Sequence, residues 1–487
     1  MGTERSHASR SLLWSGVDTF SQTGFSILAM VFLARLVGPR GIGEGALAVA
    51  FAQLASLPFE LLFHDALIQR AELEPRHKST ALTVTLCGSV GGAALLWGMA
   101  PYLAQLYGNP ALAGLVRVAA LAGPVAAAAA VASALLRRDL AFAPLARRTL
   151  VGRLLGLGIG VSTAAFGGGA WSLVAMYLGS TVLSAVVLFA SRGLPALRFS
   201  ATALHELSRF ALPNMLAQML LLGNSRIFIA LSGLYLDQLA LGWLSLAFRM
   251  VEELRNTLSS AAAQLALPLL SRRKDAPAQF TTVFSEATAL TSCILMPLYA
   301  GIAVTASDLM TVAFGPAWRP ASGAVTILAL AAVIVTTRQY TSIAVNAVGR
   351  AGLNAKVNGL VFAVSVALLL TGVVRTVELA ATVWAVRALV LSVASIWSTR
   401  IATRLSIRAQ LGPSAAAMVS ALLMSAAVLT LRDVFLAGES SAVRLATCAV
   451  AGAAAYGAAL ALVAPQVLRK LADFMHSALL PGRVRAG

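Results

Sequence analysis

Six arginines fall inside apolar runs long enough to cross a membrane: Arg35, Arg226, Arg249, Arg255, Arg338 and Arg387. An arginine at the bilayer centre costs about 2.5–3.5 kcal/mol on the insertion scale, so each must snorkel, pair with an acid or line a watery cavity. Arg35 lies near the end of its run and reads as snorkelling. Arg249 and Arg255 share a run with Glu252 and Glu253. Spacings of three and four place Arg249 beside both acids and Glu252 beside Arg255, a polar stripe that neutralises itself. Arg226, Arg338 and Arg387 have no acid within one helical turn. They read as cavity cations suited to an anionic ligand; the alternative is structural pairing with a distant acid. The first half of the chain supplies acids instead, Asp18, Glu60 and Asp65, with His64 beside them. Glu60 and His64 are four apart, hence on one helix face. With Asp18 they are candidates to counter the arginines or to hold a coupling cation, whereas Asp65 reads equally well as a solvated helix end.

The elements that must position these groups are apolar helices. The chain has 487 residues, 59% hydrophobic and 11% charged, with mean hydropathy +0.82. A soluble domain is about a quarter charged, so this chain has too few polar groups to coat a water-facing surface. A bilayer removes the difficulty, because a spanning helix needs about 20 apolar residues. The apolar runs predict an all-α polytopic membrane protein with about 14 transmembrane helices. They fall at 11–35, 45–68, 80–103, 113–136, 149–166, 170–190, 208–231, 239–262, 281–305, 321–347, 357–374, 379–399, 413–431 and 442–464. Pro58, Pro124, Pro213 and Pro297 interrupt spans and predict kinks. Gly156, Gly158 and Gly160 lie inside a span and read as helix-packing positions.

The net charge of +18 is a topology signal. With the N-terminus inside, cations gather in the N-terminal tail, in alternate connections (among them Arg70, Arg76, Lys78, Arg137, Arg138, Arg192, Arg198, Arg272, Arg273 and Lys274) and in the C-terminal tail. The opposite face carries far fewer, including Arg40, Arg117, Arg319 and Arg432. The positive-inside rule then places both termini in the cytoplasm and accounts for the basicity without nucleic acid. Trp14, Tyr102, Tyr107, Trp171 and Trp318 sit near span ends, as an interfacial aromatic belt requires. The polar start Met1 to Arg10 precedes a long apolar run with no small-residue cleavage pattern, which reads as a retained first span. Cys87, Cys293 and Cys448 are scattered through apolar runs and read as small buried hydrophobes, with no metal spacing. No Gly-Lys dipeptide, and hence no phosphate-cradling P-loop, occurs, and no catalytic-triad or metalloprotease motif is present. Connections of no more than about 20 residues leave no room for an extramembrane catalytic domain.

An internal repeat is suggested by two pairs of segments about 200 residues apart. Gly45 to Phe51 (GALAVAF) matches Gly242 to Phe248 (GWLSLAF), and Val118 to Ala122 (VAALA) matches Ile327 to Ala331 (ILALA). Spans 1–6 would then map on spans 7–12, a parallel two-lobe device of transporters.

Five further segments carry a resemblance. They are Leu36 to Gly43 (LVGPRGIG), Ala66 to Arg70 (ALIQR), Tyr107 to Pro110 (YGNP), Leu197 to Ser200 (LRFS) and Ala313 to Pro320 (AFGPAWRP). In this order and spacing the chain resembles the polysaccharide-transporter branch of the multidrug/oligosaccharidyl-lipid/polysaccharide exporter superfamily. The resemblance implies two pseudo-symmetric six-helix lobes, residues 1–200 and 201–412, with two further helices and a tail at 413–487. It implies alternating access in the cytoplasmic (inner) membrane, without a bound cofactor, and a lipid-linked oligosaccharide on an undecaprenyl diphosphate as substrate. It implies that cavity cations bind the anionic head group, Arg226 at a position where relatives carry a polar residue. Sodium or protons would be coupling ions, and polysaccharide polymerase or export machinery would be partners. Three other readings remain open: a multidrug or cation antiporter of the same superfamily, a membrane-embedded polysaccharide polymerase or ligase, and an assembly protein without transport.

Overall fold

A computed structural model describes residues 2–466; side chains before Met30, including Asp18 and Trp14, lie outside the described residues. All described regular structure is helical. In chain order the helices are α1 (Gly2–Leu62), α2 (His64–Gln69), α3 (Pro75–Leu106), α4 (Ala111–Ala120), α5 (Ala122–Arg138), α6 (Phe142–Ala165), α7 (Trp171–Arg192), α8 (Ala201–Leu222) and α9 (Asn224–Ser232). They continue with α10 (Gln238–Ser271), α11 (Pro277–Phe314), α12 (Ser322–Thr336), α13 (Thr341–Ala347), α14 (Ala351–Leu370), α15 (Val377–Thr403), α16 (Ile407–Leu411), α17 (Ala415–Thr430) and α18 (Ser441–Val463).

Every expected span falls on helix, those at 45–68, 113–136, 208–231 and 321–347 across two successive helices, but fewer than fourteen are apolar enough to qualify as membrane spans. Among the described residues ten helical stretches do, or eleven if Ala211–Leu220 and Asn224–Ser232, bent by 48°, count as one. The expected first span, 11–35, lies largely outside the described side chains. Two other expected spans fall short for a physical reason: α6 carries Arg147, Arg148 and Arg153, and α10 carries the Arg249–Arg255 charge stripe. The chain is a multi-pass helical membrane protein on this count alone.

Breaks follow backbone chemistry. Gly38 interrupts α1 with φ 73°, a conformation open to glycine, and so separates the first two expected spans. α4 stops at Ala120 because Pro124 has no N–H to give that carbonyl. The break in the span expected at 208–231 comes at Gly223 and not at Pro213, which stays inside α8. Gly193 (φ 76°) and Gly315 (φ 103°) end α7 and α11. After Gly315 a 3-10 turn, Pro316–Ala321, folds Trp318 into the interior at 1% exposure against Phe314, ring centroids 6.4 Å apart. Trp318 is thus a core residue and not an interfacial belt residue. Cys87 likewise departs from expectation: it is exposed, while Cys293 and Cys448 are buried.

Contacts group the chain into two units, residues 1–257 with 362–380, and residues 258–361 with 381–487. In the first unit, Phe63, Leu67, Leu82, Val131, Leu135 and Leu207 centre a core drawn from α2, α3, α5 and α8. α6 packs closely along α7 because Gly152, Gly156 and Gly160 repeat every four residues. A Cβ at each would lie 1.9 Å from Ser184 Oγ, 2.6 Å from Ser180 Cβ and 2.8 Å from Met176 Cβ. Gly158, read with them from the sequence, meets nothing within 4 Å and is not part of that contact. α1 and α10 cross at Gly43 and Gly242: a Cβ on Gly43 would sit 2.0 Å from Gln238 O, and one on Gly242 1.9 Å from Pro39 O. The short α2 is clamped by Arg138, whose guanidinium donates to the carbonyls of Leu67 (3.2 Å), Ile68 (3.3 Å), Arg70 and Ala71 (2.9 Å).

In the second unit, Phe280, Phe284, Tyr340 and Leu405 pack α11, α13 and the segment before α16. α17 and α18 dock on α11 through polar contacts that an apolar solvent makes specific. Ser292 and Ser414 hydroxyls meet at 2.8 Å, Tyr456 donates to Cys293 O at 3.0 Å, and Arg444 pairs with the buried Asp308 at 2.7 Å.

Candidate functional site

In the first unit, α1 presents Gln53, Ser56 and Glu60 at spacings of three and four, a polar stripe on one helix face. Ser56 Oγ donates to Glu60 Oε1 at 2.6 Å. From α9, Arg226 Nε donates to Gln53 Oε1 at 2.8 Å, and its Nη1 donates to Leu222 O beside the break at Gly223. Glu60 and Tyr177 of α7 lie within electrostatic reach of Arg226. Arg226 therefore has partners: a polar group 173 residues away in sequence and an acid on the same neighbouring helix. The sequence, scanned within one helical turn, showed none. Three elements thus hold one cation, one acid and three neutral polar groups together inside an apolar bundle. Such a group can bind an anion at the guanidinium while Glu60 balances the charge when no anion is present.

A helix break separates Glu60 from His64: α1 ends at Leu62, Phe63 leaves the helix (φ −114°, ψ 2°), and α2 restarts at His64. The break sends His64 to Asp65, Nδ1 to Oδ1 2.9 Å, and Asn214 of α8 donates to the other carboxylate oxygen. Asp65 is therefore tied by side chains and is not a merely solvated helix end. On α10, Arg255 Nε and Nη2 both reach Glu252 Oε2, Nε at 2.9 Å, as the spacing predicted. Arg249 lies on the same helix, about one turn before Glu252; the side chain of Glu253 lies outside the described residues.

In the second unit, Arg338 occupies the turn between α12 and α13 and donates from Nε to Ser392 Oγ on α15 at 2.9 Å. Arg387, on the same α15, stacks over the Trp384 ring with Cζ 4.3 Å from the centroid. Neither contact is with an acid, yet both arginines are held. Ser392 and Trp384 were not visible as partners in the sequence. Gln53 and Ser56 were legible in principle, because their spacing from Glu60 draws a polar stripe through an apolar run.

A family profile described as polysaccharide biosynthesis protein matches residues 32–323, more than half of the chain, and the chain belongs to that family. It is 27% identical over 332 residues to the succinoglycan biosynthesis transport protein ExoT of Rhizobium meliloti (strain 1021), a match covering 67% of this chain and 66% of that protein, just under two thirds of its length. It is 23% identical to the teichuronic acid biosynthesis protein TuaB of Bacillus subtilis (strain 168), covering 70% and 71% of the two chains. In fold it is similar to the lipid II flippase MurJ in an inward closed conformation, with TM-score 0.74, 13% identity and coverage of 93% and 98%. An inward-facing multidrug resistance MATE family transporter of the MOP superfamily follows with TM-score 0.55, 17% identity and coverage of 83% and 96%. The family is thus one of polysaccharide biosynthesis proteins, and the helical fold is one that a lipid flippase and a MATE transporter share.

Proposed function

We propose that this member of the polysaccharide biosynthesis protein family is an alternating-access flippase that moves an undecaprenyl-diphosphate-linked oligosaccharide from the inner to the outer leaflet of the cytoplasmic membrane. The observation that carries the reading is Arg226, held on Gln53 beside Glu60 within apolar helices. A fixed cation at membrane depth is a functional feature by default, and a diphosphate is the anion that lipid-linked sugars carry. Arg226 is the candidate cation for such a head group in the first unit, and Arg338 and Arg387 are the candidates in the second, each unit taken by itself. Arg249 and Arg255 add positive charge along α10. The names and fold of the relatives support the class of cargo: transport for succinoglycan synthesis in one and flipping of lipid II in another.

The electrostatics agree. A diphosphate carries about two negative charges, and 100 mV is worth about 2.3 kcal/mol per charge. Moving it outward from a negative interior gains roughly 4–5 kcal/mol per 100 mV. The proposal includes fourteen spans with both termini in the cytoplasm, and polymerase or export machinery as the receiver. Resetting the emptied, positive site needs a counter-charge. Glu60 is our candidate for it, with Asp18 and His64 as further candidate groups for a sodium ion or proton.

The test is flipping of a fluorescent undecaprenyl-diphosphate oligosaccharide in proteoliposomes, by wild type and by Arg226→Ala, Arg338→Ala and Arg387→Ala. Transport by wild type and its loss in at least one variant of normal abundance supports the reading. Folded wild type that moves no lipid-linked saccharide defeats it.

A further inference from the structure

Besides the arginines within the bundle, one end of the first unit carries a cavity of about 650 Å³ between the start of α3, the end of α7 and the α7–α8 linker. Four cations line it, Arg76, Lys78, Arg192 and Arg198, and no carboxylate does. Two are partly countered from outside the lining: Arg192 by Asp139, and Arg76 by Glu74 at 2.7 Å and Glu206 at 3.7 Å. Among the described residues no ion pair engages Lys78 or Arg198. The cavity therefore holds uncompensated positive charge.

Its walls are fixed before any ligand arrives. Thr80 Oγ1 accepts from Ser200 N at 3.1 Å, and Thr83 Oγ1 donates to Arg198 O at 3.2 Å, so α3 straps the linker in place. The positive φ of Gly193 ends α7 at the cavity, which Gly193 itself lines. The level also matters. Pro75 opens one membrane span and Arg192 closes another, so the cavity lies where helix ends meet the head-group region. The linker exposes Leu197 at 63% and Phe199 at 62% on either side of Arg198. Apolar side chains interleaved with cations at a span end are the pattern of an interfacial segment, which sinks carbon into the acyl boundary and offers charge to phosphates.

We infer that this cavity binds the phosphate of an anionic glycerophospholipid of the leaflet it faces, with Lys78 and Arg198 meeting the phosphate and Leu197 and Phe199 lying against the acyl chains. The ligand is a resident membrane lipid and not the transported saccharide, so the site is separate from Arg226 and its partners. A free phosphate would satisfy the cations equally well but would leave the exposed Leu197 and Phe199 without a role.

The test is lipid binding to the purified full chain in detergent, followed by native mass spectrometry. The probes are phosphatidylglycerol, phosphatidylcholine as a zwitterionic control, and soluble glycerol 3-phosphate as competitor. Each surface cation contributes roughly a 5-fold preference for anionic lipid. Lys78→Gln with Arg198→Gln should therefore lower phosphatidylglycerol binding about 25-fold relative to phosphatidylcholine. Lys78→Arg with Arg198→Lys should keep it and confirm that the fold survives. Removing equal charge elsewhere, Arg272→Gln with Lys274→Gln, should leave it within 2-fold. Equal losses from both charge-removing pairs would reduce the effect to net charge and overturn the site. So would an unchanged preference in the Lys78/Arg198 variant. Displacement of bound lipid by glycerol 3-phosphate would overturn the lipid assignment in favour of a free phosphate ligand.

Discussion

Gly242→Ala tests the packing logic most directly, because the space a methyl group would need is already filled by backbone. The new Cβ would lie 1.9 Å from Pro39 O and 2.7 Å from its carbonyl carbon. No side chain can turn aside there. Reaching 3.4 Å, where ordinary contact begins, requires α1 and α10 to part by about 1.5 Å. Overpacking of this kind costs about 1–3 kcal/mol. Gly158→Ala is the matched control, since a Cβ there meets nothing within 4 Å. It should be neutral, or gain up to about 1 kcal/mol from helix propensity. Denaturant unfolding of both variants in detergent, followed by helical circular dichroism, measures the difference. Gly242→Ala as stable as the control would mean that the crossing is not the close contact described, and the reasoning would fail.

Three further outcomes follow from the polar contacts. Arg226→Ala should slow flipping about 10–100-fold, the loss of a hydrogen bond to a charged group, while Arg226→Lys should recover only part because an ammonium lacks the planar fork; initial flipping rates in proteoliposomes at equal protein abundance measure both. Asp308→Ala strands Arg444 and should cost up to about 3–5 kcal/mol. Asp308→Ala with Arg444→Ala should be less damaging than the single change, as a double-mutant cycle of unfolding midpoints would record. Outside the spans, hydrogen bonding from the buried His77 (2.9 Å), with Arg70 and Arg76 beside it, holds the Glu206 carboxyl below its ordinary value of 4.5. A lowered pKa gives stability that is complete above pH 4.5 and lost as pH falls through the folded-state value. Wild type should therefore outlast Glu206→Gln at neutral pH, with the gap closing in acid; a gap that widens in acid would contradict the assignment.

Much of the architecture was legible because the bilayer allows few solutions: an apolar run of about 20 residues has to be a helix. The split of α1 at Gly38 and the stop at Gly315 were readable from glycine in the motifs around them. The break at Phe63 was not, because neither glycine nor proline marks it, and so Glu60 and His64 read as neighbours on one continuous helix. The partners of Arg226 and Arg338 were hidden for a different reason. Gln53 and Ser392 are brought near by folding, and spacing along one helix carries no information about a second. Trp318 was misplaced because an aromatic near a span end suits an interface and a core turn equally well. The cations of the α7–α8 linker were readable as loop charges, but their convergence with Arg76 and Lys78 is a product of packing.

The clamp on α2 has a consequence for how substitutions spread. Six residues are too few to sustain a helix alone, and the carbonyls of Leu67, Ile68, Arg70 and Ala71 converge on one guanidinium from α5. α2 is therefore a tenant of Arg138. An ammonium has three donors and no planar fork, so Arg138→Lys, conservative on paper, would leave a carbonyl unserved. It would loosen α2, and with it the Asp65–Asn214 tie that joins α2 to α8.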